Sequence, residues 1–131
     1  LVCYESVFPN HVREFIDKGA QAIFIITNDG WWGDSQGRKQ HNSYARIRAI
    51  ENRRYVVRSA NTGISSVINP LGYFEKIIDP NKTDSFITPI SLLSSKTFYV
   101  KYGNILIFIY LAVVLVLSII INRKNKDYGI I

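Results

Sequence analysis

Twenty-one consecutive residues, Tyr102 to Asn122, carry no charge, and this run limits what the chain can fold into more than any other feature. As a helix it would span about 31 Å, close to the hydrocarbon thickness of a bilayer. Its centre, Ile105 to Ile121, is apolar on every side apart from Tyr110 and Ser118, so an amphipathic surface helix fits poorly. The bland alternative is a long buried core helix, but β-branched runs of this length are rare in soluble helices. Tyr99 and Tyr102 stand at one end as interfacial anchors would, and Arg123, Lys124 and Lys126 flank the other. We therefore expect a membrane-spanning helix with an interfacial lead-in over 99–122 and a basic tail, 123–131, in the cytoplasm. The preceding domain, 1–98, then lies on the exterior side.

The 131 residues suffice for one domain of ordinary size, or a small domain with an attachment. With 47% hydrophobic and 20% charged residues, the chain is neither disordered nor collagen-like. A single cysteine excludes an intrachain disulfide framework, and no Cys/His cluster has zinc spacing, so no metal or other cofactor is expected. The chain contains no methionine and opens on Leu1-Val2-Cys3-Tyr4-Glu5 without a signal-peptide pattern, which reads as the C-terminal piece of a longer protein.

The net charge of +6 is concentrated between Arg38 and Arg58, where seven basic residues face one acid, Glu51. Arg46, Arg48, Arg53 and Arg54 could bind phosphates, but a solvated helix face, partly paired through Arg48 and Glu51, is the simpler reading. Nucleic-acid binding would need stacking aromatics interleaved with the basic residues, and only Tyr44 and Tyr55 are near. No nucleic-acid partner is expected.

Hydrophobic periodicity predicts alternating elements before the apolar run. Leu1 to Tyr4 reads as the end of a buried strand. Pro9 to Lys18 reads as a helix with Val12, Phe15 and Ile16 on its apolar face and Gly19 as its C-cap. Ala22 to Ile26 is a short continuous apolar run, expected of a strand covered on both faces. Asn28 to Gly37 is a loop, and Gln40 to Asn52 a helix with Ala45, Ile47, Ala49 and Ile50 as core candidates. Strands are predicted over Tyr55–Ala60, Ile64–Ile68, Tyr73–Ile78 and Ser85–Ile90, the second and third joined by the turn Asn69-Pro70-Leu71-Gly72. This order indicates a layered α/β domain.

Among residues capable of chemistry, Cys3 sits where a strand gives way to a loop or helix, a position that presents a nucleophile at a sheet edge. An inert buried cysteine is the competing reading. Glu5 could orient a substrate amine or a base. Asn28-Asp29-Gly30-Trp31-Trp32-Gly33-Asp34-Ser35 follows an apolar strand directly, where open α/β folds bind ligands. Trp31 and Trp32 could wall an acyl chain, plug the core or rest on a membrane interface. His41 could be a base or cap a helix; lacking a carboxylate at readable spacing, a structural role fits better. Asn61-Thr62-Gly63-Ile64-Ser65 could supply backbone donors beside a site or simply turn the chain.

Taken in order, these segments resemble the carbon–nitrogen hydrolase (nitrilase) superfamily. The resemblance rests on Cys3-Tyr4-Glu5, Gly19-Ala20, Asn28-Asp29-Gly30-Trp31, His41 with Ala45-Arg46, and Glu51-Asn52-Arg53. It continues through Ser59 to Ser65 and Pro70-Leu71-Gly72, covering roughly residues 1–75. Trp32-Gly33-Asp34-Ser35, and Tyr102-Gly103-Asn104 before a terminal apolar helix, make the chain most similar to the branch that acylates bacterial lipoproteins. The resemblance implies the C-terminal part of an α/β/β/α sandwich followed by one transmembrane helix. It implies Cys3 as the nucleophile of a Glu–Lys–Cys triad whose Glu and Lys lie upstream. Neither Lys18 nor Lys39 replaces the missing lysine. Tyr4 and Glu5 match active-site support residues, and Trp31, with Asn28 and Trp32 beside it, falls in the substrate-side loop.

The implied reaction passes a fatty acyl group from a phospholipid through a Cys3 thioester to the N-terminal amine of a diacylglyceryl-cysteine apolipoprotein. The implied place is the bacterial inner membrane, with the catalytic domain on the periplasmic side. The isolated chain is expected to be inactive. Two other readings share the fold: a membrane-tethered nitrilase or amidase that hydrolyses a small amide, and an anchored domain without catalysis.

Overall fold

The computed structural model describes residues 1–80 and 82–127 and divides into two compact units, 1–101 and 102–131. In the first unit, a 3-10 turn at Cys3–Val7 leads into helix α1 (Pro9–Asp17). Strand β1 (Ile23–Thr27), a second 3-10 turn (Gly30–Trp32) and helix α2 (Gly37–Asn52) follow. Strands β2 (Val56–Ala60), β3 (Ser65–Ile68) and β4 (Phe74–Ile78) complete the sheet, and a short helix α3 (Phe98–Tyr102) ends the unit.

The four strands lie in sequence order. β1 and β2 are parallel, with Ile23 opposite Val56, because α2 crosses back between them. β2, β3 and β4 are antiparallel, as short connections require. Val2 adds an isolated parallel bridge to Ile26, so the first residues act as the stub of one more strand beside β1. Ile26 donates its backbone N–H to the Leu1 carbonyl at 3.1 Å.

α1 begins on Pro9, whose missing N–H is not needed in a first turn, and buries Val12 and Ile16. These join Ile23, Ile25, Ala45, Ala49, Val56, Ile68 and Val100 in one apolar core. Each fully buried valine or isoleucine contributes about 1.5–3 kcal/mol relative to exposure. Phe15, predicted on the apolar face, is instead exposed. Its Cβ is one position off the Val12–Ile16 stripe, and its ring stacks edge-on with exposed His11 at 5.1 Å.

Four further expectations need correction. The apolar run at Ile23–Thr27 is covered on one face only: Ile23, Ile25 and Thr27 are buried, whereas Phe24 and Ile26 are exposed. Val2 is exposed as well, so the stub is not a buried strand end. α2 starts three residues before the predicted point and turns Ile47 and Ile50 outward, burying His41, Asn42, Arg48 and Asn52 with Ala45 and Ala49. Ser85 to Ile90 forms no strand, since no neighbouring edge pairs with it.

The stretch leading to α3 is held by cations rather than by a sheet. Arg54, expected on a solvated face, is buried, and donates to the carbonyls of Ala20, Asn52, Arg53 and Ser95. Lys96 meets Asp17 at 2.6 Å, and Arg13 donates to the Val100 carbonyl at 2.9 Å.

In the second unit, helix α4 (Ile105–Asp127) follows a break at Gly103-Asn104, so the lead-in and the long helix are separate pieces. Its stretch Ile105–Lys124 is long and apolar enough to cross a membrane, and none of it is buried. The helix continues through Arg123 and Lys124 into the region predicted as tail. Residues 128–131 of that tail lie outside the described residues.

Candidate active site

Cys3 is a non-glycine residue in the left-handed region, at φ 49°. Such a conformation costs of order 1–3 kcal/mol and persists only where the surroundings enforce it. Here the enforcing elements are visible. Glu5 accepts the Val2 backbone N–H at 2.7 Å, capping the turn that holds Cys3. Ser6, fully buried, donates its hydroxyl to the Cys3 carbonyl at 3.0 Å. The thiol is partly exposed and free, so a strand stub, a strained residue and a 3-10 turn present the sulfur at the sheet edge.

Behind Cys3 lies a charged network that sequence reasoning did not assemble. Asp29 is completely buried, and its Oδ1 accepts the Thr27 hydroxyl at 2.9 Å and sits 2.9 Å from His41 Nδ1. Its Oδ2 accepts from Arg58 Nη2, whose side chain is equally buried. Thr27 Oγ1 is also 3.4 Å from Cys3 Sγ, and His41 Nε2 is 3.4 Å from Ser6 Oγ. A carboxylate oxygen against Nδ1 makes that nitrogen the donor, and Nε2 faces Ser6 Oγ, whose one proton goes to the Cys3 carbonyl. Arg58 is pinned further by its Nε donating to the Ile64 carbonyl at 3.1 Å.

Burial alone would push the Asp29 carboxyl up. The His41 hydrogen bond, the Arg58 charge and the Thr27 hydroxyl outweigh it and hold the group below its ordinary value. Burial pushes the Arg58 guanidinium down, opposed by Asp29 and, more weakly, by the charge at Cys3.

The loop at Asn61–Gly63 has a defined task. The Thr62 carbonyl accepts the Asp29 N–H at 2.6 Å, and Asn61 donates to the Thr27 carbonyl at 2.9 Å. Gly63 has φ 147°, and a Cβ there would lie 2.6 Å from Asp29 Oδ2. Any larger residue would push the carboxylate out of the network.

The remaining predicted residues separate into two groups. Tyr4 and Trp32 converge on His41, with ring centroids 5.7 and 5.2 Å away, and with Gly37, Gln40 and Tyr44 they line a cavity of about 120 Å³. Gly37 is required there, since a Cβ would meet the Trp32 ring at 2.5 Å. Trp31, by contrast, is 87% exposed and touches none of this cavity. Asn28 is exposed, and its Oδ1 accepts the Gly30 N–H at 3.1 Å, shaping the turn before the tryptophans. Glu5 is engaged as a cap rather than directed at the network. Arg48 pairs with Glu51 at 3.0 Å, as its spacing suggested, but is buried and donates to the Val7 carbonyl, so it is no solvated residue. Among the described residues, no group of three His, Cys, Asp or Glu side chains could hold a metal ion.

From sequence a structural role fits His41 better than a base because its carboxylate partner, Asp29, lies twelve residues away across a loop and a turn. Thr27, Ser6 and Arg58 carried no motif of their own.

Residues 1–94 match the family described as carbon-nitrogen hydrolase. The chain is 39% identical over 125 residues to the apolipoprotein N-acyltransferase of Rickettsia bellii, covering 95% of this chain and 25% of that protein. With the apolipoprotein N-acyltransferase of Chlorobaculum tepidum it shares 38% over 129 residues, covering 96% and 24%. The chain thus spans about a quarter of the length of the curated relatives it matches. Among solved structures, an amidase from Nesterenkonia sp. superposes with a TM-score of 0.54 at 26% identity, over 62% of this chain and 33% of that one. A mutant of the Nesterenkonia amidase carrying the acetamide moiety of fluoroacetamide on its active-site cysteine superposes at 0.53, with 26% identity over 61% and 32%.

Proposed function

Because the chain belongs to the carbon–nitrogen hydrolase family, we propose that it supplies the nucleophile of a lipoprotein N-acyltransferase. The observation that carries this reading is the extent of the matches. The acyltransferases of Rickettsia bellii and Chlorobaculum tepidum align over 95% and 96% of the chain, which must include most of α4, whereas the amidase covers 62%. A membrane helix joined to a thiol-bearing domain suits two substrates that are both held in a bilayer.

In this reading residues 1–98 form part of the catalytic domain, 99–122 the membrane helix with its lead-in, and 123–131 a cytoplasmic tail. The positive-inside rule then puts Cys3 on the periplasmic side of the inner membrane. The Cys3 thiolate attacks the carbonyl of a phospholipid acyl ester; an S–C bond forms, the ester C–O bond breaks, and the departing lysophospholipid alkoxide takes up the proton lost by the thiol. In the second half, the α-amine of a diacylglyceryl-cysteine apolipoprotein attacks the thioester. The N–C bond forms, the C–S bond breaks, the thiolate leaves, and a base accepts the amine proton. The upstream Glu and Lys implied by the family resemblance would serve as base and as cationic partner of the oxyanion. Tyr4 and Trp32 would border the reacting carbonyl. Trp31, with exposed Tyr4 and Phe8, would offer an apolar rim to an acyl chain. Asn28 would shape this loop and Glu5 would hold the turn under Cys3.

The small cavity beside His41, with Gln40 and Tyr44 in its wall, supports a second reading: hydrolysis of a small amide with water as the acceptor. Intact mass spectrometry of the full-length protein, purified from membranes and exposed to phospholipid, separates the two. A hydroxylamine-labile adduct of fatty-acyl mass is expected on wild type and absent from Cys3→Ser. A reactive thiol that takes no acyl group from any phospholipid, but does so from a short amide, would replace the first reading with the second.

A further inference from the structure

The buried network has a property that its individual contacts do not reveal: both of its arms end on Cys3. One arm runs from Asp29 Oδ1 through the Thr27 hydroxyl, 2.9 Å away, to Cys3 Sγ at 3.4 Å. The other runs from the same oxygen to His41 Nδ1, 2.9 Å away, and the far side of that ring packs against Ser6, with Nε2 3.4 Å from Oγ. Ser6 then donates to the Cys3 carbonyl at 3.0 Å. Arg58 and the Gly63 turn lock the carboxylate from which both arms start.

We infer that Thr27 is a positioning residue for the Cys3 thiol and that Asp29 sets it, with Ser6 steadying the backbone of the same residue. This rests on reading Cys3 as the nucleophile. Thr27 has one hydroxyl proton and two acceptors in reach. With the proton on Asp29 Oδ1, the 2.9 Å partner, a lone pair of Oγ1 faces the sulfur and can accept its S–H. When the sulfur becomes anionic, the hydroxyl turns its proton to it by rotation alone, with no heavy-atom movement. The sulfur therefore keeps one rotamer through both halves of a ping-pong cycle. The strained backbone at φ 49° gives Ser6 its purpose, because a nucleophile held off its preferred conformation needs its carbonyl tied as well as its side chain.

The test uses the full-length protein, following the Cys3 peptide by mass. Alkylation by iodoacetamide requires only a presented thiol, while acyl-enzyme formation also requires the lipid donor. Thr27→Val keeps the shape and removes the hydroxyl, and should slow alkylation about tenfold, equivalent to about 1.4 kcal/mol. Thr27→Ser should restore the rate to within about twofold. A purely structural threonine would not discriminate valine from serine in this way once both variants are folded. Ser6→Ala, a smaller change, should slow alkylation about threefold and decides the matter if Thr27→Val fails to fold. Wild-type alkylation rates in the folded variants would overturn the inference. If wild type takes no acyl group from phospholipid while the alkylation differences persist, the acyl-transfer reading fails and the positioning role stands.

Discussion

Helices α2 and α4 both break the pattern of a soluble surface helix, in opposite senses. α2 buries His41, Asn42, Arg48 and Asn52 and turns Ile47 and Ile50 outward, each 41% exposed. α4 is apolar around its whole circumference and buries nothing along its candidate span. In α2 the cost of burying polar groups is offset by designated partners: Asp29 for His41, the Ser66 hydroxyl for Asn42, and Glu51 with the Val7 carbonyl for Arg48. α4 needs few side-chain partners because the backbone groups of its interior turns bond within the helix, the condition for lying in lipid. Polar burial thus accompanies the candidate site, and apolar exposure gives α4 the length and composition to cross a membrane.

The comparison can be broken most severely at α4. Leu111→Arg together with Leu115→Arg places two cations at mid-span, at about 2.5–3.5 kcal/mol each. A reporter fusion carrying residues 99–127 is expected to change from predominantly inserted to predominantly excluded. Insertion at the wild-type level would remove lipid as the explanation for the exposed apolar surface.

A smaller effect is expected at the root of the α2 network. Arg58→Met leaves the Asp29 charge buried without its cation, which costs about 3–5 kcal/mol and should lower the thermal midpoint of the full-length protein by several degrees. The acid dependence has a definite sign. Asp29 lies below its ordinary value of 3.8 when folded, so its contribution is complete above that pH and lost as pH falls through the folded value. Wild type should lose stability on acidification below about pH 4 more steeply than Asp29→Asn. Parallel acid profiles would mean that Asp29 is not held as an anion. The smallest effect belongs to the outward face: Ile47→Gln should shift stability by no more than about 0.5 kcal/mol. A larger loss in the full-length protein would show that this face is covered there and that α2 is less unusual than it looks.

Legibility followed the same division. The apolar run of α4, the strand pairings around Asn69–Gly72 and the position of Cys3 were readable because each depends on contiguous residues. α2 misled because its apolar periodicity pointed at Ile47 and Ile50, while tertiary partners decided that polar residues should face the sheet. The Ser85–Ile90 strand failed because alternation specifies a face but supplies no neighbouring edge. The two-faced burial expected at Phe24 and Ile26 failed because no described residue covers that side of the sheet. The Asp29–His41–Arg58 network was invisible for a more basic reason. Its members come from a loop, a helix and a strand, and only the β1–β2 pairing with the crossover between them brings those together. In the sequence Arg58 is merely one charge in a basic cluster.

The left-handed backbone at Cys3 also restricts what position 3 can become. Residues branched at Cβ are genuine outliers at such angles, whereas glycine and asparagine adopt them readily. A thiol can be exchanged for a primary alcohol within the same backbone, but the secondary alcohol of threonine would press its methyl against the turn. In the proposed reading, loss of chemistry is therefore easier than change of chemistry: glycine or asparagine at position 3 would remove the thiol while leaving the turn relaxed.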